Sequence, residues 1–240
     1  MIPKIIHYCW FGGKPIPEKE KSCMATWETK LQGYTIMRWD ESSFDVNSNS
    51  FTKEAYRLKK YAFVADYVRL YALTKHGGLY LDTDVEIVKP FDDLLEKHSS
   101  FGGFETPTML QTGVLACEPN NELFEQFFNY YKTHNFILGG ENATLPNSAI
   151  LRDIMTQRGL VLNNEYQCVD GFASYPQDFF CPIDQGSRQI KVTENTFCIH
   201  YLVGSWFPTS IRFKNTLKRF VGKYFGYGFV NMIRHFVGKP

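Results

Sequence analysis

The stretch from Tyr61 to Val88, YAFVADYVRLYALTKHGGLYLDTDVEIV, limits the fold of this chain more than any other. From Tyr61 to Leu73 only Asp66 and Arg69 are charged, which predicts a helix that is apolar nearly all round and buried. Gly77 and Gly78 follow His76, where a left-handed C-terminal cap belongs. Leu79 to Leu81 is short, apolar and aromatic, as a buried strand is, and Asp82 and Asp84 fall where that strand leaves its sheet. Open α/β sheets collect their ligands at the carboxyl ends of strands.

Side chains alternate along a strand, so aspartates two residues apart are expected to point the same way. Two like charges side by side repel unless a cation sits between or beside them. Hard divalent ions such as Mg²⁺ or Mn²⁺ take carboxylate oxygens and share them with substrate phosphates. The pattern points to a metal–diphosphate site, although aspartates also populate turns and an isolated DxD is open to that plainer reading.

The run ADYVRLYALTKHGGLYLDTDV resembles the core of the DXD-containing glycosyltransferases of family 32, a group of mannosyltransferases with bacterial capsule and polysaccharide relatives. It is similar, more distantly, to the glucosyltransferase domains of the large clostridial toxins. IPKIIHYCWFGG near the start and IHYLVGSWFP near the end match the same pattern, so the resemblance runs from Ile2 to Pro208. Three ordered segments are far more specific than one DxD. The resemblance implies an α/β, GT-A type, Rossmann-like nucleotide-sugar-binding fold and a retaining, metal-dependent hexosyl transfer. A Mn²⁺ or Mg²⁺ cofactor, a nucleotide-sugar donor (UDP-sugar favoured) and a saccharide or lipid-linked saccharide acceptor come with it. Surface-polysaccharide or capsule synthesis is the expected setting.

The remaining pattern agrees with one α/β domain. Ile5–Trp10 and Tyr34–Trp39 read as strands, with a helix through Trp27 and Leu31 between them and a polar loop from Glu41 to Ser50. Further strands are expected at Phe101–Phe104, Gly113–Cys117 and Phe197–Tyr201, and helices at Glu122–Lys132 and Ser148–Gln157. His134 to Pro146 reads as a loop, and Glu165 to Gln189 as irregular chain rich in aromatics and proline. Strands alternating with helices, in 240 residues without internal repeats, suit a single core.

A formal charge of +1 argues against a general nucleic-acid binder. It hides a split: Arg212 to Pro240 holds seven Lys or Arg and no acid, which leaves 19 basic against 25 acidic residues elsewhere. We therefore divide the chain into a catalytic domain, 1–209, and a basic aromatic C-terminal extension, 210–240. That extension suits an anionic membrane surface, or equally a basic helix packed on the acidic body. Gly222, Gly226 and Gly228 weaken any continuous helix there. The six scattered cysteines form no zinc spacing, and the first residues lack the apolar centre of a signal peptide. A cytoplasmic chain, peripheral on the inner face of the plasma membrane, is the expectation.

Several residues are candidates for the site. Trp10 ends the first predicted strand beside glycines; it is either a core tryptophan or, as in the toxin relatives, a platform for the nucleobase. Asp40 ends the second strand, and either meets the base or ribose or caps the following loop. Asp66 and Arg69 share a helical face, as a structural ion pair or, as the resemblance implies, as contacts to the donor sugar. Tyr80 is expected opposite Leu79 and Leu81, in packing or at the nucleotide. The resemblance implies that Asp84 ligates the metal directly, whereas Asp82 works through ribose hydroxyls, a metal-bound water or the metal itself. His200 is the further ligand candidate, against an ordinary hydrogen-bonded histidine. Ser205 and Trp206 match the family's Ser–Trp pair that holds the leaving diphosphate. Asp66, Arg69, Asp82 and Asp84 are thus the candidate catalytic residues, and Asp82, Asp84 and His200 the candidate metal ligands. Glu105, Gln111 and Thr112 lie between two predicted strands and read as loop residues, with an acceptor-side role as the alternative.

Two other classes fit parts of the pattern. YLDTDV matches the nucleophile motif of haloacid-dehalogenase-type phosphatases, but it lies far from the amino terminus and lacks a convincing downstream acidic pair. A catalytically inactive sugar-nucleotide binder would carry the same residues.

Overall fold

A computed structural model describes residues 1–140, 143–184 and 187–204. The candidate residues Ser205 and Trp206, the boundary at residue 209 and the basic extension lie outside them.

Among the described residues the apolar runs build ten strands: β1 (Ile5–Cys9), β2 (Thr35–Trp39), β3 (Gly78–Leu81), β4 (Val85–Ile87), β5 (Ser100–Thr106), β6 (Met109–Leu110), β7 (Val114–Cys117), β8 (Gln167–Val169), β9 (Phe172–Tyr175) and β10 (Cys198–His200). Seven helices accompany them among the described residues: α1 (Glu18–Lys30), α2 (Ser50–Arg57), α3 (Tyr61–His76), α4 (Asp92–Lys97), α5 (Glu122–Thr133), α6 (Asn147–Gln157) and α7 (Gln177–Phe180).

The central sheet runs in the order β2-β1-β3-β7-β5-β9-β8, with β6 paired to β5, while β4 and β10 form a separate antiparallel pair. β2, β1 and β3 are parallel neighbours, β7 is antiparallel to both β3 and β5, and β9 runs parallel to β5. β2, β1, β3, β5 and β9 therefore share one direction, against β7 and β8. This mixed α/β sheet is covered on both faces, which is why its inner strands read as continuous apolar runs rather than alternating ones. Tyr80, Leu115 and Cys117 face the core that contains α2, α3 and α5. Leu79, Leu81, Val114 and Ala116 face the second core, with Trp27 of α1 and Phe180 of α7.

Helix α3 buries Val64, Tyr67, Val68, Leu70, Ala72 and Leu73, as its composition requires. Each such side chain taken out of water contributes roughly 1.5–3 kcal/mol to folding. The helix ends at Gly77, whose N–H bonds Leu73 O at 2.8 Å. Its φ of 62° with ψ of −165° corrects the expected left-handed cap: the backbone is extended, in a region open essentially to glycine alone. A Cβ at Gly78 would stand 2.6 Å from Ile5 O, so glycine there also lets β3 close on β1.

The stretch read as irregular, Glu165 to Gln189, holds β8, β9 and α7. Strand β9 pairs with β5 from Ser100↔Phe172 to Gly103↔Tyr175 and is buried throughout. Its four residues, flanked by Gly171 and Pro176, are too short to show a period. Helix α2 also lies beyond the reading, since the polar loop extends only to Asn49, whose side chain caps the helix at Phe51 N–H. Among the described residues no helix is long and apolar enough to cross a membrane.

Candidate active site

The parallel strands β2, β1 and β3 end side by side. Cys9 pairs with Trp39 and His7 with Tyr80, so Trp10, Asp40 and the Asp82–Asp84 segment emerge at one carboxyl edge. The two aspartates do not continue the strand. Residues 82–84 turn sharply, with Val85 N–H donating to Asp82 O at 3.0 Å, and the chain re-enters as β4. Convergence of the carboxylates thus comes from a tight turn and not from strand alternation, which corrects the sequence argument. Two anchors hold that turn. Asp82 N–H donates to Gly113 O at 2.8 Å, and Trp27 Nε1–H of α1 donates to Val85 O at 2.7 Å.

Strand β10 pairs with β4 and sets His200 opposite Val85. The imidazole Nε2 lies 3.4 Å from Asp84 Oδ1 and 3.7 Å from Asp82 Oδ2. The ligand atoms of Asp82, Asp84 and His200 all lie within 4.8 Å of one another. Two carboxylates and one imidazole so spaced fit a divalent cation of the Mn²⁺ type. His200 is shifted up to about 9: burial opposes its charge, and the Asp84 carboxylate, followed by Asp82, more than offsets that. Burial pushes Asp84 up, but His200 beside it and the Val203 N–H at 2.7 Å on Oδ2 hold it below the usual carboxylate range. Asp82 is the most open of the three, its side chain 29% exposed against 12% for Asp84 and 8% for His200.

Arg69 brings the second half of the site to the first. Its Nη2 lies 3.2 Å from Asp66 Oδ1 and 3.2 Å from Asp82 Oδ1, its Nη1 donates to Thr112 O, and its guanidinium stands 4.4 Å over the Tyr80 ring. Burial disfavours this charge, but Asp82, Tyr80 and Asp66 raise its pKa instead. Tyr80 faces α3 across the sheet from Leu79 and Leu81, as expected, and its hydroxyl also donates to Asp82 Oδ1 at 3.0 Å. Asp82 therefore spends one oxygen on Arg69 and Tyr80 and turns the other toward His200. Asp66 is raised to about 6, mainly by burial, with Arg69 and then the Asn147 amide pulling the other way.

The two candidates on β1 and β2 carry local contacts. Trp10 is partly buried and its Nε1–H donates to Lys14 O at 2.6 Å. Asp40 accepts from Ser42 N–H at 2.9 Å and Ser42 Oγ at 2.6 Å, and pairs with Arg38 at 2.7 Å, so it serves as the cap of the following loop. No contact links either to the carboxylate cluster among the described residues; the shared edge of the sheet does.

Gln111, Gly113 and Asn147 complete the site; Gln111, read as a loop residue with an acceptor-side role as the alternative, instead meets His200 Nδ1 at 3.1 Å, and the other two carried no expected role. Gln111 and Gly113 follow β6, whose two residues are too short to be seen in a pattern. Asn147 opens α6, 81 positions from Asp66, a separation that no local periodicity spans. The one available signal was Gly113 at the start of a buried strand, where glycine marks close approach of another group.

Comparison with known proteins bears on the family and the fold. Residues 17–101 match the family described as "Glycosyltransferase sugar-binding region containing DXD motif". The chain is 29% identical over 167 residues to the uncharacterized glycosyltransferase L373 of Acanthamoeba polyphaga mimivirus, covering 65% of this chain and 66% of that protein. It is 35% identical over 102 residues to inositol phosphoceramide mannosyltransferase 3 of Schizosaccharomyces pombe, covering 39% of this chain and 27% of that protein. The chain thus spans from about a quarter to just under two thirds of the curated relatives it matches. The crystal structure of a glycosyltransferase involved in the glycosylation of the major capsid of PBCV-1 superposes with a TM-score of 0.50 at 11% identity, over 89% of this chain and 98% of that one. At that identity the likeness speaks for the fold, which is of the GT-A type.

Proposed function

We propose that this chain, which belongs to the DXD-containing, GT32-like glycosyltransferases, moves a hexose from a nucleotide-diphosphate sugar to a saccharide acceptor with retention at the anomeric carbon. A UDP-sugar is the favoured donor and Mn²⁺ the favoured ion. The observation that carries the reading is the continuous constellation Asp66–Arg69–Asp82–His200–Asp84, in which one carboxylate belongs to both a sugar-side pair and a cation site.

Asp82, Asp84 and His200 would hold the ion, and the imidazole nitrogen favours Mn²⁺ over Mg²⁺. A divalent ion bound there supplies positive charge to a leaving diphosphate. Asp66, ionised above about pH 6, accepts hydrogen bonds from sugar hydroxyls. Arg69 contributes as a brace: with its amino groups taken by Asp66, Asp82 and Thr112 O, it fixes the two carboxylates against each other. Such fixed charge costs no reorganisation as the anomeric C–O bond breaks. Same-face attack needs no carboxylate nucleophile, and none is assigned. We assign Trp10 and Asp40, at the same edge, to the nucleoside end, and the resemblance alone assigns Ser205 and Trp206 to the diphosphate. The acceptor is a saccharide or lipid-linked saccharide of a surface polysaccharide, with the extension from residue 210 resting on the cytoplasmic membrane face.

The test is a thermal-shift panel of UDP, GDP, CDP and their sugars with Mn²⁺, on wild type and Asp84→Asn. Metal-dependent stabilisation by one nucleotide, lost in the variant, supports the reading; no shift with any of them refutes it. Slow release of nucleoside diphosphate from the selected sugar nucleotide separates a transferase from an inactive binder. A chain ending at Thr209 should lose cosedimentation with anionic liposomes; if it sediments like the full chain, the membrane role fails.

A further inference from the structure

We infer that Gln111 is a positioning residue: it holds the ring proton of His200 on Nδ1, so that Nε2 keeps its lone pair for the cation. The inference rests on the metal reading above and concerns a residue that does not itself approach the ion.

An imidazole offers a metal only an unprotonated nitrogen, and which nitrogen that is depends on the hydrogen bond made by the other. In this chain the two ring nitrogens face opposite partners. Nε2 looks at Asp84 Oδ1 and Asp82 Oδ2, whereas Nδ1 lies 3.1 Å from Gln111 Oε1. Gln111 is fully buried, and its backbone N–H is fastened to Gly103 O of β5 at 2.9 Å. Its side-chain oxygen is the end that meets Nδ1, while its side-chain nitrogen has no partner among the described residues. An oxygen there accepts from Nδ1–H and disfavours the tautomer with the proton on Nε2. A cation entering between the carboxylates displaces the Nε2 proton, and the proton that stays is the one Gln111 accepts from Nδ1.

The ring is also fixed against rotation. Gly113 presses on the imidazole so closely that a Cβ would sit 2.7 Å from Nδ1. His200 O meanwhile accepts a weak bond from Cys181 Sγ at 3.7 Å. With the plane set by packing, Gln111 is the acceptor on Nδ1, and a cation that takes the place of the proton between Nε2 and the two carboxylates leaves the ring proton on Nδ1. Removing such an outer partner of a metal-bound histidine typically costs 10–100-fold in metal affinity.

The test compares full-length wild type with Gln111→Met, which keeps the volume but removes the acceptor, and Gln111→Glu, which keeps an oxygen. Mn²⁺ alone is titrated by calorimetry, and ¹⁵N–¹H correlation spectra of the histidine rings are recorded with Zn²⁺ as a diamagnetic probe. We expect wild type to show His200 protonated at Nδ1 and bound through Nε2. Gln111→Met should lose about 10–100-fold in Mn²⁺ affinity and show a mixed tautomer, with Gln111→Glu losing less than tenfold. A folded Gln111→Met with wild-type affinity and an unchanged spectrum overturns the assignment, as does a wild-type ring bound through Nδ1. If Gln111→Met fails to fold, the wild-type spectrum and Gln111→Glu still decide it. A wild-type chain that binds no Mn²⁺ overturns the metal reading itself, an outcome distinct from the others.

Discussion

Gly113→Ala should disable the cation site while leaving the fold intact. Gly113 is not among the positive-φ glycines, so its backbone tolerates a side chain, and the cost comes from space alone. An added Cβ would stand 2.7 Å from His200 Nδ1 and 2.8 Å from Asp82 Oδ2, and closer still to His200 Cε1. Ordinary contact begins near 3.4 Å, so the imidazole must retreat by about 1.0 Å and the carboxylate by about 0.6 Å. Metal–ligand distances tolerate only about ±0.2 Å, so at least one ligand is lost. We expect Mn²⁺ affinity by calorimetry to fall at least tenfold, on the order of 1.4 kcal/mol. Urea unfolding should show only the roughly 1–3 kcal/mol penalty of overpacking. The penalty has two sources, and a second substitution separates them: in a His200→Ala background only the contact with Asp82 remains, so the effect on stability should shrink. Two results would refute the reasoning. One is Mn²⁺ binding by Gly113→Ala within twofold of wild type; the other is an equal stability loss in both backgrounds.

Arg69→Met should destabilise the chain by about 3–5 kcal/mol in urea unfolding, because it leaves Asp66 and Asp82 facing each other uncompensated. Asp66→Asn added to it should recover part of that loss, and a single variant costing under about 1 kcal/mol would remove the bracing role from Arg69. His7 gives a pH test. It is fully buried, its Nε2 is 2.8 Å from Gly77 O and its Nδ1 accepts from Trp39 Nε1–H at 3.1 Å, and burial is the main reason its pKa falls from 6.5 to about 4. A depressed histidine stabilises the fold above the unfolded value of 6.5, and that contribution is lost as pH falls from 6.5 through 4, by about 3 kcal/mol in all. His7→Gln should start from a lower stability at pH 7 but lose markedly less between pH 6.5 and 4; an unchanged slope would contradict the assignment.

The sequence was most legible where one element carries its own signal over many residues. Helix α3 announced itself through sixteen residues with a nearly unbroken apolar face, and the glycine pair and short strand after it followed from local steric rules. The same window exposed Asp66, Arg69, Asp82 and Asp84, because charge on an otherwise apolar segment needs a reason. Strand β9 and the β6 link escaped because two to four residues carry no period, and β9 earns its buried place only by pairing with β5.

What the sequence determined by itself was the list of reactive groups and the edge of the sheet at which they gather, since both depend on residue type and short-range geometry. Tertiary structure alone decided how those groups are shared. It placed β10 beside β4, 115 positions apart at the Val85↔His200 pair, and so brought an imidazole to two carboxylates. It folded the DxD into a turn, gave Asp82 one oxygen toward Arg69 and the other toward His200, and set Gln111 and Gly113 against the ring. The physical reason is range: propensity and periodicity act over a few residues, whereas burial and electrostatic pairing act between whichever surfaces the sheet order brings into contact.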